Sequence, residues 1–129
     1  MTAAPTLLSR SIEQQLQRNA AALAAIESRS HDIAQLDRLV AALRARGWRA
    51  EAYVDTTPSG NAAICNLALL LSCSEGELAD ALEYLVCDGV GVSRDVRGDM
   101  GCSRRYRLRL ATFILYLNAY VHAPVREAA

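Results

Sequence analysis

The stretch TPSGNAAICNLALLLSCSEGELADALEYLVCDGVGVSRDVRGDMGCSRRYRLRL, residues 57–110, decides how the rest of the chain is read. Thr57-Pro58 has the form of a helix start: a Thr cap, then Pro at the first helical position, where its missing N–H costs nothing. Ile64, Leu67, Ala68 and Leu71 recur at helical spacing and predict a first helix with one buried face. Ser72-Cys73-Ser74 interrupts the pattern. Ser74 with Glu77 three residues on is a capping box and predicts a second helix, with Leu78, Leu82, Leu85 and Val86 on its inner side. Asp88-Gly89 closes that helix, because glycine readily takes the left-handed conformation of a helix end. Val90 to Arg94 reads as a short strand and Arg97 to Gly101 as a turn. Arg105 to Leu110 alternates as a strand does.

On the N-terminal side, residues 1–8 are expected to be disordered. A helix is predicted over 9–30, capped by Ser9 or Ser11. Ile12, Leu16, Leu23 and Ile26 fall on one seam of it, with Asn19 between them. A polar residue at one seam position sets register and partner number in coiled coils. Two heptads suit equally a self-associating helix and an amphipathic helix packed on its own domain. Asp32 with Gln35 forms another capping box. It opens a helix with Ile33, Leu36, Leu39, Val40 and Leu43 inward, ending near Arg46-Gly47. Trp48 to Val54 reads as a strand.

On the C-terminal side, residues 111–123 are predicted as an apolar helix stopped by Pro124, with 124–129 as a tail. Large apolar side chains cover most of its circumference, and such a helix must be buried on more than one side. Phe113, Tyr116, Leu117 and Tyr120 therefore join Ile12, Leu16, Leu23 and Ile26 as candidate oligomerisation residues of a homodimer.

Helix, strand, helix, turn, helix and hairpin over residues 31–110 resembles the winged helix-turn-helix family. The resemblance is carried by Asn66 to Leu71, Ser74 to Leu78, Ala81 to Leu85 and Asp88 to Val92. It implies a fold that is mainly α with a small antiparallel β-sheet, an α+β winged helix with extra N- and C-terminal helices. It also implies a small dimeric prokaryotic or phage transcriptional regulator that binds double-stranded DNA.

Charge placement qualifies that implication. Residues 94–109 hold six arginines (Arg94, Arg97, Arg104, Arg105, Arg107 and Arg109) against Asp95 and Asp99, a net +4. Guanidinium groups on a β-ribbon suit phosphate contacts. Alternation puts Arg105, Arg107 and Arg109 on one face and Tyr106, Leu108 and Leu110 on the other. Residues 74–88 hold Glu75, Glu77, Asp80, Glu83 and Asp88 and no basic residue, a net −5. Carboxylates repel phosphates, so the DNA contact is assigned to the arginine wing and not to the second helix of the motif. The alternative is a protein-interaction module, a phage- or plasmid-encoded inhibitor among them. Its acidic helix would present Glu77, Asp80, Glu83 and Tyr84 to a partner, in the manner of a DNA mimic.

Over the 129 residues the formal net charge is zero, which gives no global pull toward nucleic acid or acidic membranes. An enzyme is not expected: His31 and His122 are far apart in sequence, and no nucleophile elbow or phosphate-binding glycine loop is present. Cys65, Cys73, Cys87 and Cys102 lack the paired spacing of zinc ligands, so no metal or cofactor is expected. Read as free thiols, they point to a cytoplasmic protein. No signal peptide is evident, and the longest apolar runs are too short to span a membrane.

Overall fold

The computed structural model describes residues 6–122. It is an α+β structure with elements in the order α1 (Leu7–Ser28), α2 (Ser30–Ala45), β1 (Arg49–Ser59), β2 (Ala62–Cys73), α3 (Glu75–Cys87), β3 (Gly91–Arg94), a 3-10 turn (Val96–Gly98), β4 (Ser103–Arg109) and β5 (Ile114–Val121). The chain divides into two compact units. Val54–Asn66 belongs with the residues up to His31, and Asp32–Tyr53 belongs with Leu67 onward.

The second unit carries most of the sheet. Strand order is β1-β2-β5-β4-β3. β2 runs parallel to β5, while β4 is antiparallel to both β5 and β3. Parallel neighbours need a long crossover, here supplied by α3, β3 and β4. Strand side chains alternate between faces, and among the described residues the fully buried ones lie on one face. Leu67, Leu69 and Leu71 of β2, Tyr106 and Leu108 of β4, and Leu115, Leu117 and Ala119 of β5 are buried on it. They share a core with Leu36, Leu39, Val40 and Leu43 of α2 and Leu78, Ala81 and Leu85 of α3. Among the described residues no buried residue is polar or charged.

Several local signals act as their chemistry dictates. The capping box of α3 is formed: the Glu77 N–H donates to Ser74 Oγ at 3.2 Å, and the Ser74 N–H donates to Glu77 Oε1 at 3.1 Å. Gly89 follows α3 at φ +87°, a left-handed position that a side chain would strain.

Two predicted helices are strands, and this removes the helix-turn-helix. The stretch expected to form the first motif helix is the end of β1, a turn at Gly60-Asn61, and β2, so a strand and not a helix precedes α3. Leucine and alanine favour helix when nothing else decides. β2, however, lies between β1 and β5, and its outward positions Ala68 and Leu70 are apolar and half-buried. A strand apolar on both faces shows no period of two. The same holds for the C-terminal helix expected over 111–123, where β5 lies. Its inward residues are Leu115, Leu117, Ala119 and Val121; its outward ones are Ile114, Tyr116, Asn118 and Tyr120. Being apolar all round reflected a strand with an aromatic outer face. The sheet is thus five-stranded and mixed, larger than the small antiparallel sheet expected.

In the first unit, α1 begins earlier than expected. Thr6 is its cap, accepting from the Ser9 N–H at 3.1 Å, while Ser11 Oγ donates to the Leu7 carbonyl. Leu7 and Leu8 of the expected disordered start are therefore helical; residues 1–5 and the tail 124–129 lie outside the described residues. The outer halves of β1 and β2 meet at a two-residue loop, a connection that joins antiparallel neighbours. Pro58 sits in β1, an edge strand, where its lack of an N–H is tolerated. Asn66 Nδ2 donates to Thr57 Oγ1 across the hairpin at 2.9 Å.

Candidate functional site

β4 places its arginines on two sides of the sheet. Arg104, Tyr106 and Leu108 face the helix layer; Arg105, Arg107 and Arg109 face away from it. The six arginines grouped together in the sequence therefore do not form one surface, because a strand reverses its side chains at every residue.

The helix-side arginines are paired. The guanidinium of Arg104 takes the Glu75 carboxylate of α3 in a two-pronged contact, with Nη1 donating to Oε2 at 2.9 Å. Arg94 stands opposite Tyr106 in the ladder. Its two terminal nitrogens donate to Asp99 Oδ1 and Oδ2, each at 2.6 Å. Asp99 Oδ1 also accepts the Arg105 N–H at 2.9 Å. The Arg94 fork, and after it the Arg105 N–H, hold the Asp99 carboxyl down to about 2. Arg104 likewise lowers Glu75, chiefly by hydrogen bonding.

On the open side, Arg105 is half-free. Its guanidinium lies 3.6 Å from the centroid of the Tyr116 ring, and its Nε is 3.7 Å from Asp95 Oδ2. Gly98 of the 3-10 turn rests directly on its aliphatic stem: a Cβ there would come within 1.9 Å of Arg105 Cδ. Arg107 and Arg109 are exposed, and among the described residues neither has an ion-pair partner. Arg107 stands between Ser93 of β3 and Tyr116 of β5; Arg109 stands between Gly91 and Ile114. The small residues of β3 leave a shallow depression of about 340 Å³ beside the two guanidinium groups, walled by Ile114. Gly91 fits closely there: a Cβ would lie 3.2 Å from that of Arg109, a tight contact.

Beside this cationic column runs the outer column of β5: Ile114, Tyr116, Asn118 and Tyr120. Tyr116 is 38% exposed and Tyr120 48%. Next in the column, His122 packs edge-on to Tyr120 at 5.4 Å and hydrogen-bonds Ser72 Oγ through Nε2 at 2.6 Å. Asn118 and His122 fall in this column, where the sequence pattern predicts a helix and so does not group them with the tyrosines. Reading Ile, Tyr, Asn, Tyr and His at every second position would have found them.

The remaining candidates are scattered. Arg97 is exposed on the 3-10 turn. On α3, Asp80 and Glu83 are exposed, but Glu77 is engaged in the cap. Tyr84 packs under the Arg46 guanidinium at 4.2 Å and against Trp48 at 5.7 Å. The four acidic-helix candidates therefore do not form one unengaged surface. Of the oligomerisation candidates, Phe113 and Leu117 are core residues, Tyr116 and Tyr120 are on the open sheet face, and Ile12, Leu16 and Leu23 are exposed on α1, with Ile26 half-buried. Cys65 and Cys73 are buried free thiols. Burial, and after it the charges of Glu77 and Glu75, raise the Cys73 thiol above its usual range. No helix among the described residues is long and apolar enough to cross a membrane. Compared with protein-family models, with curated proteins and with solved structures, the chain matches none.

Proposed function

We propose that the chain binds nucleic acid through the outer face of its sheet, with Arg107 and Arg109 contacting phosphate and Arg105 held beside them. One observation carries this reading: two exposed guanidinium groups flank a depression on the outer face of the sheet, and among the described residues no acid pairs with them. Arginine forks match phosphate oxygens with two parallel hydrogen bonds. With zero net charge on the chain, affinity must come from this local cluster and not from long-range steering. Fluorescence anisotropy with labelled DNA and RNA at two salt concentrations tests it. Binding should weaken with salt, and Arg107→Ala with Arg109→Ala should flatten the slope by about one to two units. Absence of binding to every nucleic acid at about 50 mM salt overturns it.

We also infer a homodimer held through α1. No residue of this helix is fully buried, and Leu8, Ile12, Leu16 and Leu23 are 53–71% exposed. A helix draws most of its stability from packing an apolar face, and the seam with Asn19 suits a second copy of itself. Gln15 Nε2 donates to Asn19 Oδ1 at 3.0 Å, which orients the seam amide. Mass determination in solution should give twice the chain mass, reverting to one chain with Leu16→Asp. A monomeric wild type overturns the inference.

A further inference from the structure

We propose that the nucleic acid bound on this face is a single strand, laid along β4 and β5 with its phosphates on the arginine column and its bases on the tyrosine column; the proposal rests on the nucleic-acid reading above.

Geometry argues first against a duplex groove. Arg105, Arg107 and Arg109 lie on β4, one strand in from the edge, with β5, β2 and β1 continuing the sheet beyond them. Five strands at about 4.8 Å spacing span about 19 Å. A major groove is about 12 Å wide and admits a helix or a two-stranded ribbon. These arginines cannot be lowered into it without the rest of the sheet meeting the backbone. On the outside of a duplex they would meet phosphates only, and the neighbouring tyrosines would have nothing to contact.

The two columns have complementary chemistries, which is what an unpaired strand offers. Its phosphates and its bases are separable surfaces, and proteins that take it combine a basic track with aromatic side chains on which bases stack. Here Arg107 is directly opposite Tyr116 in the ladder, so cation and aromatic ring are side by side. Tyr116 and Tyr120 are four residues apart on one strand and about 13 Å from one another. Between them lies Asn118, opposite Arg105, whose side-chain amide can both donate to and accept from a base edge. Over Tyr116 sits the Arg105 guanidinium. Flat guanidinium planes stack bases as aromatic rings do, so the Arg105–Tyr116 pair presents one stacked platform. The depression beside Arg107 and Arg109 then receives phosphate at the other margin of the track.

The test compares labelled oligothymidylate and oligouridylate of about 16 nucleotides with a duplex of the same length, by anisotropy on the full chain. Either single strand should bind about tenfold or more tightly than the duplex. Tyr116→Leu with Tyr120→Leu should weaken single-strand binding about tenfold or more while leaving duplex binding within about twofold. Both tyrosines are exposed, and circular dichroism melting of the variant confirms that it folds. Preference for the deoxy or the ribo strand identifies the source of the ligand; either supports the proposal. Equal binding of duplex and single strand, or no effect of the tyrosine pair, overturns the single-strand assignment and leaves the nucleic-acid reading in place. Loss of all binding to every oligonucleotide overturns that reading itself.

Discussion

Arg104 and Arg105 are neighbours in the chain and face opposite sides of one sheet, and the two sides use arginine differently. Toward the helices, Arg104 is held by Glu75, and Arg94 by Asp99. Away from them, Arg107 and Arg109 meet no acid among the described residues, and Arg105 lies over an aromatic ring with Asp95 at 3.7 Å. The charge of a segment is therefore not the charge of a surface. The net +4 of residues 94–109 resolves into pairs that fasten the sheet to its surroundings and a short outer column in which Arg105 faces Asp95 while Arg107 and Arg109 have no ion-pair partner among the described residues. The inner side of β4 should therefore govern stability and the outer side should govern binding.

The largest effect that tests this contrast is on the inner side. Leu108 has no exposed surface, and Leu108→Ala should lower unfolding free energy by about 2–5 kcal/mol through lost burial and the cavity left behind. Urea unfolding measures it. A loss below about 1 kcal/mol would mean that the helix layer is not packed on this face. Next comes the outer side. Arg107→Ala with Arg109→Ala should weaken oligonucleotide binding about a hundredfold, near tenfold per charged hydrogen-bonding group. It should move stability by no more than about 0.5 kcal/mol. A large stability loss with unchanged affinity would invert the assignment of the two sides.

How much of this was legible depends on whether a local rule stood alone. The cap at Ser74, the glycine at 89 and the alternation of β4 were each readable, because one physical requirement fixed each residue type. The open-face position of Arg105, Arg107 and Arg109 followed from alternation alone. β2 and β5 were not readable in the same way. Leu69 and Leu70 are adjacent and face opposite sides, and so are Tyr116 and Leu117; both members of each pair are apolar. With only Asn66 and Ser72 in β2 and Asn118 in β5 as polar marks of the period, helix propensity and strand burial give nearly the same string. The β-branched and aromatic content of Ile114 to Val121, with only eight residues in the run, favours strand. The pairing of Arg104 with Glu75 was beyond sequence reasoning, since it depends on how α3 lies over β4.

A smaller effect probes the boundary between the two sides. Gly98 leaves room for the stem of Arg105, and Gly98→Ala should push that side chain off the Tyr116 ring. A cation–π contact of this kind is worth about 0.5–1 kcal/mol. Single-strand affinity should therefore fall about two- to fivefold, and Arg104→Ala should leave it within about twofold. If Gly98→Ala leaves affinity unchanged and Arg104→Ala lowers it, the platform is on the other side of the strand.

The smallest effect is confined to acid and concerns the inner side alone. Asp99 is depressed to about 2 by the Arg94 fork and the Arg105 N–H, whereas an unfolded-chain aspartate titrates near 3.9. A depressed carboxyl stabilises the folded form fully above its unfolded pKa, and the contribution is lost as pH falls through the folded value. Wild type and Asp99→Asn should therefore differ most at neutral pH and approach one another between about pH 4 and pH 2. Carboxyl-carbon NMR should place the Asp99 midpoint near 2 in the wild type and closer to 3.9 in Arg94→Ala. An Asp99 titrating at the ordinary value in the wild type would show that the fork is not made in solution. Arg94 would then join Arg107 and Arg109 as an arginine without an acid of its own, and the contrast between the two sides of the sheet would narrow to Arg104 and Glu75.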